Sequence, residues 1–293
     1  MPKIYSGDLT KMFDISGKKA MIFGGAGGFG GAIAEAYAAN GCSVCISSRS
    51  EEKLQAQVEK IKAVAAPGVK VCYIAGDAGD EEFVKKAVEV VTGPDCLGGC
   101  DILVNAQGIN KKAWSWEIDT DFFEKMLHTN ITSLMLTCKH FGNWMKTHNV
   151  EGADIIPEDK WEHGKCNPNQ GYGKIINFGS VRSIRAVANG GNGNVPYCTT
   201  KGGVEMLTKA YAADLRPNIQ VNAIGPTITY TPMMVGILPP DEKVRNGIAG
   251  ALPAQRIGYE IDVVGPAIFL GSAASDMVTA TTIYPDGGLV ATS

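Results

Sequence analysis

Short apolar segments alternate with segments of helical periodicity along most of the 293 residues, and this alternation restricts the fold more than any other feature. In the first half, the strand-like segments are 19–23, 43–47, 69–75 and 101–105. In the second half, strand-like segments at 174–178, 219–224 and 283–284 alternate with helical segments at 121–145, 197–215 and 261–270. Short apolar strands separated by helices are typical of βαβ units, so we expect an α/β fold with a doubly wound sheet of about seven parallel strands flanked by helices.

The chain shows no linker, no break in composition and no internal repeat, which predicts a single domain over residues 1–293. Three segments fall outside the alternation: an N-terminal extension at 1–17, a polar insertion at 148–173, and a substrate-loop region at 226–258. The insertion is long for a connection between a helix and a strand. We interpret it as a surface insertion near a subunit edge, with a substrate lid or a neutral insertion as the alternatives.

The charge balance argues against two classes of partner. The formal net charge is −3 and the chain has no long basic run, whereas proteins that bind nucleic acid or anionic membranes normally carry a basic surplus. No stretch reaches the ~18 apolar residues of a membrane span, and residues 1–17 lack the apolar core of a signal peptide. We therefore expect a soluble, cytoplasmic protein that acts on a small molecule.

The eight cysteines are predicted to be reduced thiols, since a chain of this size without a signal peptide does not need a disulfide framework. Cys42 and Cys45 match the C-x-x-C spacing, but on a strand these two positions face opposite sides. His163 and Cys166 lie in a polar segment and read as solvated loop residues. We expect no metal site.

The 36 glycines are concentrated in clusters, and the densest cluster joins the first strand to the first helix. It reads Gly24-Gly25-Ala26-Gly27-Gly28-Phe29-Gly30-Gly31 and fits two spacings of the dinucleotide fingerprint, Gly25-x-Gly27-x-x-Gly30 and Gly24-x-x-x-Gly28-x-Gly30. Glycines at such a turn let the backbone approach a pyrophosphate at the positive end of the helix. The strand before and the helix after this turn indicate a Rossmann-type nucleotide site.

The end of the second strand predicts which dinucleotide binds. An NAD site places Asp or Glu there, on the ribose 2′-hydroxyl, but this chain has Ser48 and Arg49. A guanidinium forks well onto a phosphate, so we expect NADP(H), with NAD(H) also possible. An ordinary solvated arginine at the start of a helix is the alternative reading of Arg49.

A third element is Tyr197-Cys198-Thr199-Thr200-Lys201, where Tyr and Lys at i and i+4 share one helix face. An ammonium close to a phenol favours the phenolate and lowers the pKa of the phenol. Such a pair suits a proton donor to a carbonyl, or a base in the reverse direction.

Taken in order, these motifs resemble the short-chain dehydrogenase/reductase family over about residues 13–288. The family's glycine motif is similar to Gly24-x-x-x-Gly28-Phe29-Gly30, with Phe23 in place of threonine. The further matches, in family order, are Asp77-Ala78, Asn105-Ala106-Gln107-Gly108, Asn130, Ser180, Tyr197-x-x-x-Lys201, Pro226 with Thr231, and Asp286-Gly287-Gly288.

The resemblance implies a catalytic role for four residues. Tyr197 would be the general acid/base, and Lys201 would bind the nicotinamide ribose and depress the pKa of Tyr197. Ser180, favoured over Ser183 by the strand register, would hydrogen-bond the substrate oxygen, and Asn130 would hold a water in a proton relay. The resemblance, together with the glycine turn and the end of the second strand described above, implies a set of cofactor contacts. They are Gly24, Gly28, Phe29, Gly30, Ser48, Arg49, Asp77, Ala78, Asn105, Ala106, Gly108, Tyr197, Lys201, Pro226 and Thr231.

Substrate recognition is expected beside Lys111 and Lys112, which follow the Gly108 turn and could meet a carboxylate or phosphate. The family's sugar-acid subgroup is similar here, which implies a sugar acid or polyol as substrate, held by these two lysines with Ser180 and Tyr197. A solvated basic turn is an equally good reading. An apolar lining would instead suit a cyclic or hydrophobic ketone, and the candidates for it are Trp114, Trp116, Met233, Met234 and Ile237.

A protein of this kind that only binds NADP(H), as a sensor or scaffold, is the non-enzymatic alternative. Its usual mark is a broken Ser/Tyr/Lys set, whereas all three residues are present here. The resemblance also implies a homo-oligomer, a dimer or tetramer, built on the helices at 121–145 and 197–215. The Gly190-Gly191-x-Gly193 group lies between Ser180 and Tyr197, and we expect this loop to shape access of the substrate.

Overall fold

Parallel pairing of the apolar segments forms the centre of the structure, a computed structural model that describes residues 8–111, 113–149, 172–186, 194–231, 234, 238 and 241–292. Its strands are β1 (Lys19–Phe23), β2 (Ser43–Ser48), β3 (Val71–Ala75), β4 (Ile102–Asn105), β5 (Gly173–Phe178), β6 (Ile219–Ile224), β7 (Thr229–Tyr230), β8 (Gly258–Tyr259) and β9 (Thr282–Ile283). Seven of them form one sheet in the order β3-β2-β1-β4-β5-β6-β9, and β7 pairs with β8. The predicted doubly wound parallel sheet is confirmed, and its strand order reverses between β1 and β4.

The helices connect these strands and cover both faces of the sheet. They are α1 (Gly28–Ala39), α2 (Glu51–Val64), α3 (Glu81–Thr92), α4 (Thr120–Leu127), α5 (Ser133–His148), α6 (Val195–Asp214), α7 (Glu242–Gly250), α8 (Val264–Gly271) and α9 (Leu289–Thr292). Local sequence sets where several begin: Ser50 accepts a hydrogen bond from the backbone N–H of Lys53, and Asp80 caps α3 in the same way.

Two apolar cores lie on opposite faces of the sheet. One is built with α1, α2 and α8 and includes Ile33, Leu54 and Ala267, and the other is built with α3, α5 and α6 and includes Phe141. A sheet buried on both faces requires nearly continuous apolar strands, which is why these strands lack a polar alternation.

The cysteines follow the same division into two cores. Cys42 belongs to the first core and Cys45 to the second, as the strand geometry predicts. The described cysteines form no disulfide bond, and the described residues contain no group of side chains that could hold a metal ion.

The predicted continuous helix over 121–145 is wrong in one respect. It consists of α4 and α5 joined by a π-helical turn at His128–Thr132, and Asn130 lies in this turn. Helix α7 (Glu242–Gly250) lies within the 226–258 segment, for which the sequence predicts a substrate loop. Every helix in the described part of the chain is too short or too polar to span a lipid bilayer.

Several sequence-based expectations lie outside the described residues. They concern most of the 148–173 insertion, most of the 188–194 loop, part of the 1–17 extension, and Lys112, His163, Cys166, Met233 and Ile237.

Candidate active site

One cavity of about 560 Å³ opens at the carboxyl ends of the central strands, where the strand order reverses. In doubly wound sheets this is where ligands bind. The cavity is lined by Phe23, Gly24, Ala26, Gly27, Gly28, Phe29, Ser47, Ser48, Arg49, Lys53, Gly76, Asp77, Ala78, Ala106, Gln107, Gly108, Ile109, Asn110, Thr129, Ser133, Phe178, Gly179, Ser180, Tyr197, Lys201, Pro226, Thr227, Ile228, Thr229, Thr231 and Met234.

Backbone forms the first wall of the cavity, at the turn between β1 and α1. Gly27 has φ +145°, a conformation that side chains disfavour, and α1 begins after it without a side-chain cap. Gly30 packs tightly on the same turn, since a Cβ there would lie 2.5 Å from the carbonyl oxygen of Gly24. The uncapped helix end therefore offers backbone N–H groups and positive potential, which fits a pyrophosphate.

A basic group forms the second wall, at the ends of β2 and β3. Ser48 and Arg49 line the cavity as placed by the sequence, and Asp77 and Ala78 line it beside them. Lys53 also lines the cavity, although the sequence analysis did not predict it as a site residue. Its spacing of four residues from Arg49, across the start of α2, was the available signal.

Ser180, Tyr197 and Lys201 meet at the opposite end of the cavity. Ser180 lies two residues after the end of β5 and caps a short 3-10 turn, and its hydroxyl accepts a hydrogen bond from the backbone N–H of Arg182 at 3.1 Å. Burial raises the pKa of Tyr197 to about 12, while a hydrogen bond with Ser180 acts in the opposite direction. Ser183 instead accepts from the backbone N–H of Ser180 at 3.2 Å, which leaves Ser180 as the serine that contacts the tyrosine.

Lys201 is almost completely buried, and its ammonium donates to the carbonyl oxygen of Phe178 at 2.6 Å. The ammonium lies 5.6 Å from the ring centroid of Tyr197. Desolvation lowers the pKa of Lys201 to about 8. The expectation that the pair gives Tyr197 a depressed pKa is wrong for this structure, because burial of the phenol outweighs the groups that favour the phenolate.

Asn130 is buried beneath the same end of the cavity, and its amide group joins the segment at Ile109 to helix α6. Its Oδ1 accepts from the backbone N–H of Ile109 at 2.8 Å, and its Nδ2 donates to the Ile109 carbonyl at 2.9 Å. The same Nδ2 donates to the hydroxyl of Thr200 at 3.0 Å, and Thr200 in turn donates to the Tyr197 carbonyl. The π-helical turn thus aims Asn130 at both the Gly108–Ile109 segment and α6.

The structure does not bring Asn105 to the cavity. This residue is fully buried, and its amide donates to Asn177 Oδ1 at 2.9 Å within the sheet. Ala106, Gln107 and Gly108 line the cavity in its place, and the Gln107 amide donates to Ser133 Oγ at 3.1 Å. Asn105 therefore supports the two central strands, because the alternation along β4 turns its side chain into the core.

The C-terminal Asp286-Gly287-Gly288 segment also lies away from the main cavity. Asp286 accepts from the backbone N–H groups of Gly288 and Val290, both at 2.8 Å. Gly287 borders a separate cavity of about 160 Å³ together with Arg256. Pro226 and Thr231, by contrast, line the main cavity.

The substrate side differs from the expectation in two respects. Lys111 is exposed, lies over the ring of Phe122 at 4.8 Å from its centroid, and is not among the lining residues. Trp114 and Trp116 stack on each other at 5.1 Å and do not line the cavity either. Met234 does line it, as do the apolar side chains of Ile109, Phe178 and Ile228.

Comparison with known families finds dehydrogenase and reductase models that match nearly the whole chain. Residues 18–157 match the family model described as short chain dehydrogenase, and residues 163–290 match the model described as enoyl-(acyl carrier protein) reductase.

Individual relatives are similar to this chain over nearly the whole length of both proteins. Gluconate 5-dehydrogenase of Gluconobacter oxydans (strain 621H) is 29% identical over 95% of this chain and 96% of its own length. Nodulation protein G of Azospirillum brasilense is 30% identical over 94% of this chain and 99% of its own length. The crystal structure of a gluconate 5-dehydrogenase from Burkholderia cenocepacia J2315 in complex with NADP and tartrate superposes with a TM-score of 0.81 at 27% identity, covering 97% of this chain and 99% of that one.

Proposed function

Because this chain belongs to the short-chain dehydrogenase family of oxidoreductases, we propose that it interconverts a secondary alcohol and a ketone on a sugar acid or polyol, with NADP(H) as the cofactor. The observation that carries this proposal is a single cavity with two different ends. One end offers a glycine cradle with Arg49 and Lys53, and the other offers Ser180, Tyr197 and Lys201.

The preference for NADP(H) over NAD(H) rests on the end of β2. The NAD-type carboxylate is replaced there by Ser48 and Arg49, and Lys53 adds a second cation at the same wall. Two cations beside a serine hydroxyl suit a 2′-phosphate, whereas a 2′-hydroxyl carries no negative charge with which they could pair. The relative from Burkholderia cenocepacia was crystallised with NADP.

In the proposed mechanism, the bound nicotinamide supplies the hydride in reduction and accepts it in oxidation. Tyr197 protonates the carbonyl oxygen of the substrate in reduction and removes the hydroxyl proton in oxidation. Its pKa of about 12 keeps the phenol protonated near neutral pH, which suits the proton donor. The hydroxyl of Ser180 donates to the same substrate oxygen and stabilises the charge that develops on it.

Lys201 and Asn130 prepare this end of the cavity for the proton transfer. The ammonium of Lys201 is fixed by the Phe178 carbonyl and stays beside the Tyr197 ring, where it favours the transient phenolate. Asn130 holds the Gly108–Ile109 segment against α6 through Thr200. Its place next to Lys201, with Gly108 between them, is compatible with the water relay that the family resemblance implies.

The sugar-acid assignment draws on two similar proteins, named gluconate 5-dehydrogenase, one of which was crystallised with tartrate. The apolar side chains of Ile109, Phe178, Ile228 and Met234 favour a second candidate, reduction of a cyclic or hydrophobic ketone. Binding of NADP(H) without turnover is the third candidate, and the complete Ser/Tyr/Lys set argues against it.

The proposal includes a cytoplasmic homo-oligomer, a dimer or tetramer. Met206 on α6 is 64% exposed although it is apolar, which is consistent with a helix that packs on another subunit. Light scattering during gel filtration measures the assembly directly, and a monomer at micromolar concentration would contradict this part of the proposal.

A substrate screen tests the function itself. The protein is mixed with NADP⁺ or NAD⁺ and D-gluconate, or with NADPH or NADH and either 5-keto-D-gluconate or a hydrophobic cyclic ketone, and the nicotinamide absorbance is followed. We expect turnover of the acids with NADP(H) at a higher kcat/KM than with NAD(H). Turnover of the cyclic ketone alone would select the second candidate, and cofactor binding without turnover would select the third.

A further inference from the structure

Two aromatic side chains lie between the two ends of the cavity, and the mechanism above gives them no role. Phe29 belongs to the first turn of α1, among the glycines of the cradle, and Phe178 is the last residue of β5. Both line the cavity. Their rings stack with centroids 5.3 Å apart and planes inclined by 20°, a geometry that aromatic pairs prefer. This aromatic pair therefore connects the cradle to the strand that leads to Ser180.

Backbone contacts hold the aromatic pair in place. Phe178 is 3% exposed, and it pairs with Ile224 of the neighbouring strand β6. Its carbonyl oxygen accepts the hydrogen bond from the Lys201 ammonium at 2.6 Å, which fixes this residue beside the catalytic group. Phe29 is half-buried and packs against the apolar core that contains Phe178. The pair is thus a fixed part of the cavity wall.

The proposed reaction brings the nicotinamide ring to this part of the wall. The cradle fits the pyrophosphate, which sets one end of the cofactor. Hydride transfer requires the ring to lie in contact with the carbon whose oxygen meets Ser180 and Tyr197. The ring must therefore lie between the cradle and these two hydroxyls, and Phe29 and Phe178 line the cavity between the same two points.

The charges around this position distinguish the two forms of the cofactor, because the nicotinamide ring is positively charged when oxidised and neutral when reduced. Among the described residues that line the cavity, the one carboxylate is Asp77, which follows β3 at the other end. The buried ammonium of Lys201 opposes a second positive charge at the catalytic end. The face of an aromatic ring carries negative potential, so the pair offers a partner to a flat cation.

We propose that Phe29 and Phe178 bind the nicotinamide ring and that their aromatic character favours its oxidised, cationic form. Aliphatic side chains at these positions would form an apolar wall of similar size without the quadrupole that attracts a cation. At equal concentrations of NADP⁺ and NADPH, the oxidised form should therefore occupy a larger share of the sites than an aliphatic wall would allow. The inference rests on the proposed function for the nicotinamide cofactor, and it names the redox state that the site favours.

The test follows the ratio of the Kd of NADP⁺ to the Kd of NADPH, both measured by calorimetric titration in the same buffer. Phe29→Leu keeps an apolar side chain and removes the aromatic face, so the ratio should rise about 3- to 10-fold, through weaker binding of NADP⁺. Phe178→Leu should raise the ratio about two- to threefold, since little of its ring is exposed. A purely structural role would change both Kd values by the same factor and leave the ratio unchanged.

Phe269→Leu is the matched control for the loss of a paired ring. Phe269 forms a tilted pair with Phe13, with centroids 6.2 Å apart, and neither ring lines the cavity. Its ratio should stay within about twofold of the wild type. Phe29→Tyr keeps the aromatic face, so its ratio should also stay within about twofold. If circular dichroism shows that Phe29→Leu does not fold, Phe29→Met takes its place.

The outcomes separate the aromatic pair from the proposed reaction, because no substrate takes part in the titrations. NAD⁺ and NADH are titrated in parallel, and if they bind instead of NADP(H), the same ratio is read from them and only the NADP(H) preference fails. An unchanged ratio in Phe29→Leu, or an equal rise in Phe269→Leu or Phe29→Tyr, would overturn the role of the pair and leave the proposed reaction intact. A wild type that binds neither cofactor would overturn both.

Discussion

At one end of the cavity the wall is mostly backbone, whereas at the other end it consists of side chains held in a desolvated, charged environment. The glycine turn before α1 offers N–H groups and room, and its shape depends on conformations such as the φ of +145° at Gly27. The opposite end depends on Lys201, which is 4% exposed, and on Tyr197, whose pKa burial raises to about 12.

This difference teaches how the two ends should respond to substitution. A backbone cradle is damaged by added volume, so its variants should lose affinity for the cofactor. A desolvated cluster is damaged by removal of one proton or charge, so its variants should lose turnover and retain affinity. Loss of cofactor affinity and loss of turnover should therefore occur in different variants, and the variants below test whether they do.

The largest effect is expected from Tyr197→Phe. Removal of the hydroxyl eliminates the proton donor and preserves the volume of the ring, so kcat should fall about 10³-fold or more. Fluorescence titration should give an NADPH Kd within about threefold of the wild type. The substitution removes a single hydroxyl and leaves the rest of the cofactor site unchanged, so the loss of binding free energy should be small. A variant that keeps a tenth of the wild-type activity would remove Tyr197 from the mechanism.

The opposite response is expected from Gly30→Ala. The added Cβ would lie 2.5 Å from the Gly24 carbonyl oxygen, so the turn must shift. We expect the NADPH Kd to rise about tenfold or more, with a loss of roughly 1–3 kcal/mol in the free energy of unfolding.

Gly247→Ala in α7 is the control for this variant, because an added Cβ there meets open space. It should raise the free energy of unfolding by about 0.5–1 kcal/mol, the gain of alanine over glycine within a helix, and leave the Kd unchanged. If both glycine variants bind NADPH as the wild type does, the cradle is not the cofactor site.

A more selective effect is expected from Arg49→Ala. Loss of the guanidinium should raise KM for NADPH about tenfold or more and KM for NADH less than about threefold, because only the former has a 2′-phosphate. Lys53→Ala should act in the same direction, and Lys62→Ala, on an exposed i,i+3 pair with Glu59, should change neither KM. Equal changes for both cofactors would place the adenosine elsewhere.

The smallest effect concerns stability and comes from Lys201→Met. The folded chain holds the Lys201 ammonium with a pKa of about 8, below its usual 10.5. Below pH 8 the buried charge therefore lowers stability, and Met should raise the free energy of unfolding near neutral pH by about 1–2 kcal/mol after loss of the hydrogen bond to Phe178, while turnover is lost.

The pH dependence gives an independent check on the same residue. Between about pH 8 and 10.5 the unfolded wild type binds more protons than the folded one at this site, so the contribution of Lys201 to stability rises with pH. The difference in stability between Lys201→Met and the wild type should shrink across this window in urea denaturation. A constant difference would show that Lys201 is not desolvated.

The sequence predicts the sheet and most of its helices because both depend on local periodicity. Strand Ile219–Ile224 has the predicted bounds, and Ser50 caps α2 as expected. The glycine cradle is equally accessible, since a run of glycines between a strand and a helix has few other uses. The π-helical turn at Asn130 could not be predicted from the sequence, because one extra residue in a turn does not alter the apolar pattern of the helix around it.

The remaining differences arise from side-chain direction and from burial, which a linear pattern does not contain. Asn105 and Ala106 are neighbours, yet only Ala106 lines the cavity, because successive residues of a strand face opposite sides. The raised pKa of Tyr197 likewise follows from burial, which outweighs the cation that the Tyr/Lys spacing suggests.

Transfer of a labelled hydride tests the central claim most directly. NADPH carrying deuterium at the reactive position of the nicotinamide is incubated with the protein and 5-keto-D-gluconate, and the product is examined by mass spectrometry and NMR. We predict a single deuterium on the newly formed alcohol carbon with the wild type and none with Tyr197→Phe. A wild type that binds the labelled NADPH but transfers no deuterium to this ketone would contradict the proposed reaction.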